Sequence, residues 1–393
     1  MAENKKNPPL LNMPFSSNTR AKALSYLTKV YRVVVSWIMV RPSQFVVLLK
    51  NKELYKRPSY FPEYESKRKS PSRIFIEQLG QILRYGKVNR FYFQYGFDVK
   101  SKSEMESYVH YTPFQNRRGD LNLSLYHDYS CILRDKFVFS IFAEGIGIKV
   151  AKTLFYSAKG VMYDYKTKEA ADSILPALSI HHRLFCKPLD GEEGKGIFIV
   201  VEKDGVLYCD GITTNEEKIM SKLTEKRYIV QTFIEQHKSM SQLHPESINT
   251  IRLVTVKGLK DGKIHVLPSI LRIGTGDSVV DNTSQGGIAV GIDLDTGFLK
   301  KFGFYKPQYG LKADVHPNSN VRFETFQIPY FEEVKSKAIY FHSLLPQIHS
   351  VGWDIAIGED GPVFVEGNDN WEITGPQSCN GGMKKEFNEF FYR

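Results

Sequence analysis

The segment GWDIAIGEDGPVFVEGNDN, Gly352 to Asn370, restricts the fold of this chain more than any other. Two apolar runs rich in Ile, Val and Phe flank the turn-forming cluster Glu359-Asp360-Gly361, so the segment reads as a β-hairpin. With the turn centred on Asp360, Asp354 lies across from Glu366, and Asn368 follows two residues along on the same face. Trp353, Ile355, Ile357, Val363 and Val365 fall on the opposite face and are available for a core. Two like charges opposed on a sheet cost roughly 0.2–1 kcal/mol, so a compensating cation is expected. Hard oxygen ligands without His or Cys suit magnesium, which also takes oxygens from a substrate phosphate. The competing reading is a solvated face with a chance pair of acids.

The other 374 residues of the 393 have an ordinary globular composition, 42% hydrophobic over the whole chain, enough for a sizeable core in two or three units. The net charge of +10 favours polyanionic partners such as nucleotides, acidic glycans, nucleic acid or an anionic membrane surface. Cys131, Cys186, Cys209 and Cys379 have neither metal spacing nor a disulfide pattern, which fits a reducing compartment. Residues 1–20 lack the apolar core of a secretory signal and read as a flexible lead-in. In KALSYLTKVYRVVVSWIMVRPSQFVVLLK, charges and Pro42 rule out a spanning helix. An amphipathic helix remains, either packed on a core or docked on a membrane surface. The basic and aromatic stretch from about 60 to 110 lacks an RNA-binding signature and reads as a packed accessory region, with helical spacing over Phe75–Leu83. A helix is expected after Asp135, ending near Gly145, then mostly strands and turns as far as Leu299. A further helix, FEEVKSKAIYFHSLLPQI, precedes the hairpin.

Three more segments can carry chemistry. RLFCKPLDGEEGKGIFIVV reads as strand, glycine-rich loop, strand: Gly191, Gly194 and Gly196 allow backbone amides to meet phosphate oxygens, and Lys187 ends the first strand. It is no Walker loop, because Gly196 follows the Gly-Lys pair and a strand comes next. In YIVQTFIEQHK, apolar residues around Gln231 can hold a flat base. SINTIRLVTVKGLKDGKIHVLPSILRIG makes a second hairpin turning at Asp261-Gly262, with Arg252 and Arg272 on one face. That pair suits a triphosphate or a carboxylate, or plain surface ion pairing. Finally, DNTSQGG sets Asn282 beside Gly286 and Gly287, a loop whose backbone can approach a substrate.

Taken in this order, from about Leu133 to the C-terminus, these segments resemble the ATP-grasp superfamily, and within it the sugar-transfer associated branch. The resemblance implies an α+β fold in which two antiparallel-sheet subdomains clasp ATP, preceded by an N-terminal accessory region. It suggests segments at 1–110 (accessory), 111–180 (lead-in), 181–245 (nucleotide lid) and 246–393 (magnesium and acceptor). It implies that Lys136 and Lys187 contact the ATP phosphates and base edge, and that Asp190 to Gly196 closes over the phosphates. Gln231, Thr232 and Ile234 occupy the adenine-hinge positions; relatives often have Glu at the first, and the Gln231 amide would take over the base-edge bond. The usual ribose-binding Glu is missing from QHKSMSQ. Asp354, Glu366 and Asn368 match the magnesium triplet, while Arg252 and Asn282 resemble positions beside the γ-phosphate and acceptor in ribosomal-protein glutamate ligases.

The expected activity is that of a carboxylate-amine ligase, related to such enzymes as D-alanine-D-alanine ligase. It would use ATP and magnesium, with Arg252 and Arg272 gripping the carboxylate and then the oxyanion. The branch name suggests an acidic sugar or polysaccharide acceptor and an amino-acid or amine co-substrate in capsule or O-antigen assembly, in the cytoplasm with peripheral membrane contact and no nucleic acid. The alternatives are a kinase acting on a hydroxyl and a non-enzymatic membrane-associated scaffold.

Overall fold

The computed structural model describes residues 34–122, 129–189 and 196–392. The chain divides into two compact units, Met1–Pro58 with Ser66–Arg90, and Ser59–Glu65 with Phe91–Arg393. In the first, a π-helical turn, Ser36–Val40, leads into α1 (Arg41–Lys50), and α2 (Pro71–Tyr85) follows. Ser70 caps α2 by accepting from the Arg73 amide, Pro71 sits in its first turn, and left-handed Gly86 ends it, as the spacing over Phe75–Leu83 required. Leu48, Ile82 and Val88 form a small core. Beside it the Gln78 amide donates to the carbonyls of Leu54 (3.1 Å) and Asn89 (2.9 Å).

In the second unit the segment from Phe91 to Val99 is a run of turns with Tyr92, Phe93, Tyr95 and Phe97 buried. Helices α3 (Tyr111–Asn122) and α4 (Lys136–Gly145) precede the first sheet. That sheet contains β1 (Thr153–Ala158), β2 (Val161–Asp164), β3 (Arg183–Pro188), β4 (Phe198–Lys203), β5 (Val206–Cys209), β6 (Ile212–Thr214) and β7 (Tyr228–Thr232). Its order is β2-β1-β7-β3-β4-β5-β6, every neighbour antiparallel. A boundary at 181 would run through this sheet, because β1 pairs with β7 and brings β2 with it. Leu184, Cys186, Phe198, Val200 and Val230 bury one face against α5 (Leu175–His181) and α6 (Glu216–Glu225) through Leu178, Ile219 and Leu223. By strand alternation, Phe185, Lys187, Ile229 and Gln231 occupy the other face.

Both helices correct the expectation of strands and turns up to Leu299. For α6 the signals were local: Asn215 accepts from the Lys218 amide, Glu216 and Glu217 fill the first turn, and Ile219 and Leu223 recur at i, i+4.

The second sheet contains β8 (Thr250–Lys257), β9 (Ile264–Ile273), β10 (Ile288–Ile292), β11 (Leu299–Phe304), β12 (Lys312–Ala313), β13 (Ser350–Gly358) and β14 (Gly361–Asn368), in the order β12-β11-β10-β9-β8-β13-β14. One face packs on α7 (Phe331–Ser343), where Phe341 lies 4.6 Å from Trp353 between ring centroids. The hairpin pairs Asp354 with Glu366 and Gly352 with Asn368, but below them Ile355 pairs with Phe364 and Ala356 with Val363. The register shift is a bulge at Val365, which turns Phe364 into the core beside Trp353. Val363 and Val365, expected on that face, are therefore displaced from it.

Candidate active site

Arg252 on β8, Arg272 on β9, Asp354 on β13 and Glu366 on β14 share the face of the second sheet turned away from α7. The Asp354 carboxylate is clamped from both sides. Arg252 donates through Nε to Oδ1 (2.5 Å) and through Nη2 to Oδ2 (3.0 Å), and Arg272 Nη2 reaches Oδ2 at 2.8 Å. Burial alone would raise the Asp354 carboxyl; the two guanidiniums outweigh it and hold it well below the usual carboxylate range. Asp354, one of the two opposed acids, is thus compensated by the arginine pair.

Glu366 is held differently. It accepts from the Asn368 amide (3.1 Å), and burial followed by the Asp354 charge raises its carboxyl, with Lys136 pulling the other way. Across from it, Lys187 is 9% exposed at the end of β3, its ammonium lowered to about 8 by burial and by Lys136 and supported by Glu366. Lys136 starts α4, whose N-cap Asp135 accepts from the amides of Phe137 and Val138 and pairs with Arg227 at 2.9 Å. The Lys136 amide donates to Leu189 O (3.3 Å), tying the helix start to the end of β3. Two lysines from the first sheet's side thereby face a carboxylate of the second.

Gly191 and Gly194 lie outside the described residues; Gly196 has φ +78°, and its carbonyl accepts from the Tyr228 hydroxyl. Gln231 is buried, and its amide donates to Ala151 O (3.1 Å) and Thr153 Oγ1 (3.1 Å), so the donors expected at a base edge are already committed. Thr232 donates its amide to Lys152 O (2.9 Å), and half-buried Ile234 follows the strand. Next to it Phe185 and Phe233 meet edge to face (5.5 Å), with the Arg183 guanidinium over Phe233.

Asn282 caps a short turn by accepting from the Ser284 amide, and a Cβ on Gly287 would lie 2.5 Å from Asp281 O, so that glycine lets the loop fold on itself. The residue the sequence reading missed is Asp281, immediately before it. Asp281 accepts from the Thr250 amide (2.9 Å) and hydroxyl and lies 3.7 Å from Arg272 Nε, anchoring the loop to the arginine pair. Also missed was Glu372: its Oε1 accepts from Tyr111 (3.2 Å) and Gln115 (2.6 Å) of α3, and it senses the charge of Arg252.

Among the described residues no group of three or more His, Cys, Asp and Glu side chains is arranged as a metal site. The all-oxygen set of Glu366 and Asn368 nonetheless fits a hard cation completed by phosphate and water oxygens. Asp354 fits only as far as its arginine contacts leave lone pairs.

Residues 117–390 match the family described as "Sugar-transfer associated ATP-grasp". The chain belongs to that family. The fold of this ATP-grasp protein is the one expected, two antiparallel sheets with helices around them. Solved structures similar to it include an ADP complex of an N5-carboxyaminoimidazole ribonucleotide synthetase (11% identity, TM-score 0.36, covering 66% of this chain and 52% of that one). A Staphylococcus aureus N5-carboxyaminoimidazole synthetase complexed with ADP gives 12% and 0.38, covering 67% and 52%. D-alanyl-alanine synthetase A from Vibrio cholerae gives 10% and 0.37, covering 67% and 63%. The chain thus spans about half the length of the first two. No curated protein matches it in sequence.

Proposed function

We propose that this ATP-grasp protein is an ATP- and magnesium-dependent carboxylate-amine ligase. The observation that carries the reading is the arrangement around Glu366: two lysines on one side, two arginines bound to Asp354 on the other. Such a site can neutralise a triphosphate and the charge that develops on transfer. In the proposed reaction a carboxylate oxygen attacks the γ-phosphorus, releasing ADP and leaving an acylphosphate. An amine nitrogen then attacks the acyl carbon, phosphate departs, and the amine proton goes to solvent or to a basic side chain.

Lys136 and Lys187 bind the phosphates, and Thr232 and Ile234 line the base, with Gln231 bracing their strand through its bonds to Ala151 and Thr153. Glu366 and Asn368, with Asp354 when its arginines turn to the substrate, would hold magnesium, which supplies charge neutralisation at the phosphates. Arg252 and Arg272 orient the carboxylate and stabilise its oxyanion, and Asn282 orders the loop beside them. Glu372, held through one oxygen by Tyr111 and Gln115, is placed to receive a cationic amine. The substrate we propose, on the strength of the family's description, is an acidic sugar of capsule or O-antigen polysaccharide joined to an amino acid or amine.

Incubation with ATP, magnesium, uronic acids and amines, followed by mass spectrometry, tests this reading. The expected result is an amide whose formation requires the added amine. A stable phosphate ester on a hydroxyl would replace the ligase with a kinase.

A further inference from the structure

Helix α1 packs on α2 through fully buried Leu48 and through Arg41 Nε, which donates to Leu83 O at 3.2 Å. Away from that contact, Pro42, Phe45, Val46 and Leu49 are all exposed at i, i+3, i+4 and i+7, which makes one stripe along the helix. The preceding turn adds Trp37, Ile38 and Met39, the last two 69% and 66% exposed, and α2 exposes Ile76 and Leu83. Apolar side chains gathered this densely on a small unit mark an interaction surface.

Charge identifies the partner. By sequence the unit Met1–Pro58 with Ser66–Arg90 holds 18 Lys and Arg against 3 Asp and Glu, a net +15, whereas the rest of the chain holds 35 against 40, a net −5. Lys50, Lys52, Lys56, Arg73, Arg84 and Lys87 of this unit are exposed. We propose that the first unit docks on an anionic lipid surface, its basic residues at the headgroups and its aliphatic stripe among the acyl chains. A nucleic acid would call for stacking rings, and most of the exposed residues are aliphatic. A second copy would bring two strongly cationic units together. The proposal is independent of the ligase reading.

Trp37 provides the readout, since Trp353 and Trp371 are buried. With the full chain, vesicles of phosphatidylcholine doped with phosphatidylglycerol are expected to pellet the protein and shift its tryptophan emission to the blue. Pure phosphatidylcholine or high salt should weaken partition by about tenfold or more. The triple substitution Ile38→Ser, Met39→Ser, Leu49→Ser should abolish the emission shift, and Lys50→Glu with Lys52→Glu should weaken pelleting, both with unchanged thermal unfolding. Equal partition onto neutral and anionic vesicles, or a serine triple that binds like the parent, would overturn the proposal. So would a free-chain emission already blue and indifferent to vesicles, because the stripe would then be covered by the chain itself or a second copy.

Discussion

At Lys187, burial and the Lys136 charge pull the ammonium down to about 8, against the support of Glu366. The protonated form is the one that binds phosphate, so ATP affinity is expected to fall as pH rises through about 8. Calorimetric titration from about pH 7 to 9 checks this, and Lys187→Arg, charged throughout, should flatten the step. Stability should run the other way: between about 8 and the ordinary lysine value of 10.5 the unfolded chain keeps a proton the native one has lost, so unfolding becomes harder as pH rises. The two opposed acids should also differ in sign. Asp354→Asn leaves two arginines facing each other without their anion and is expected to cost about 3–5 kcal/mol. Glu366→Gln removes a charge that burial and Asp354 disfavour, so it should leave stability unchanged or raise it by up to about 1 kcal/mol while activity is lost. Urea unfolding of both variants decides, and equal destabilisation would contradict this assignment. The acids and arginines were legible in the sequence because strand alternation fixes their faces. What compensates Asp354 was not, because a register between β8 and β13 cannot be read from either strand alone.

The start of α4 shows how an element sets the site. Asp135 caps the helix that presents Lys136, so Asp135→Ala should cost about 1 kcal/mol and raise the KM for ATP, whereas Asp135→Asn should keep the cap. Parallel thermal unfolding and ATP-dependent turnover measure both, and an unchanged KM in the alanine variant would remove the cap from the site's support. This helix was legible from its Asp135 start and apolar spacing. The bulge in β14 was not: in Val363-Phe364-Val365 any residue can face a core, so the alternation gives no sign of the extra one. Nor was the role of α3, whose Tyr111 meets Glu372 across 261 residues of sequence. If Glu372 receives the amine, Glu372→Gln should raise the KM for amine tenfold or more, on the order of 1.4 kcal/mol, with that for ATP unchanged. Equal loss in both would make Glu372 structural.

Over the whole molecule, the net charge of +10 concealed a division into a cationic unit and a weakly acidic one, which only the contact pattern drew. The ATP-grasp fold was legible because its chemistry-bearing segments come in a fixed order; the acceptor was not, since no motif in the sequence specifies it. No helix among the described residues is long and apolar enough to cross a membrane. The central claim is transfer of the γ-phosphate to a carboxylate followed by attack of an amine. It is tested most directly by turning over an acceptor whose carboxylate carries oxygen-18, with ATP, magnesium and amine, and weighing the products. An acylphosphate route predicts one labelled oxygen in the released phosphate and one in the amide. Phosphate free of label, with both labelled oxygens retained in a phosphorylated acceptor, would contradict it.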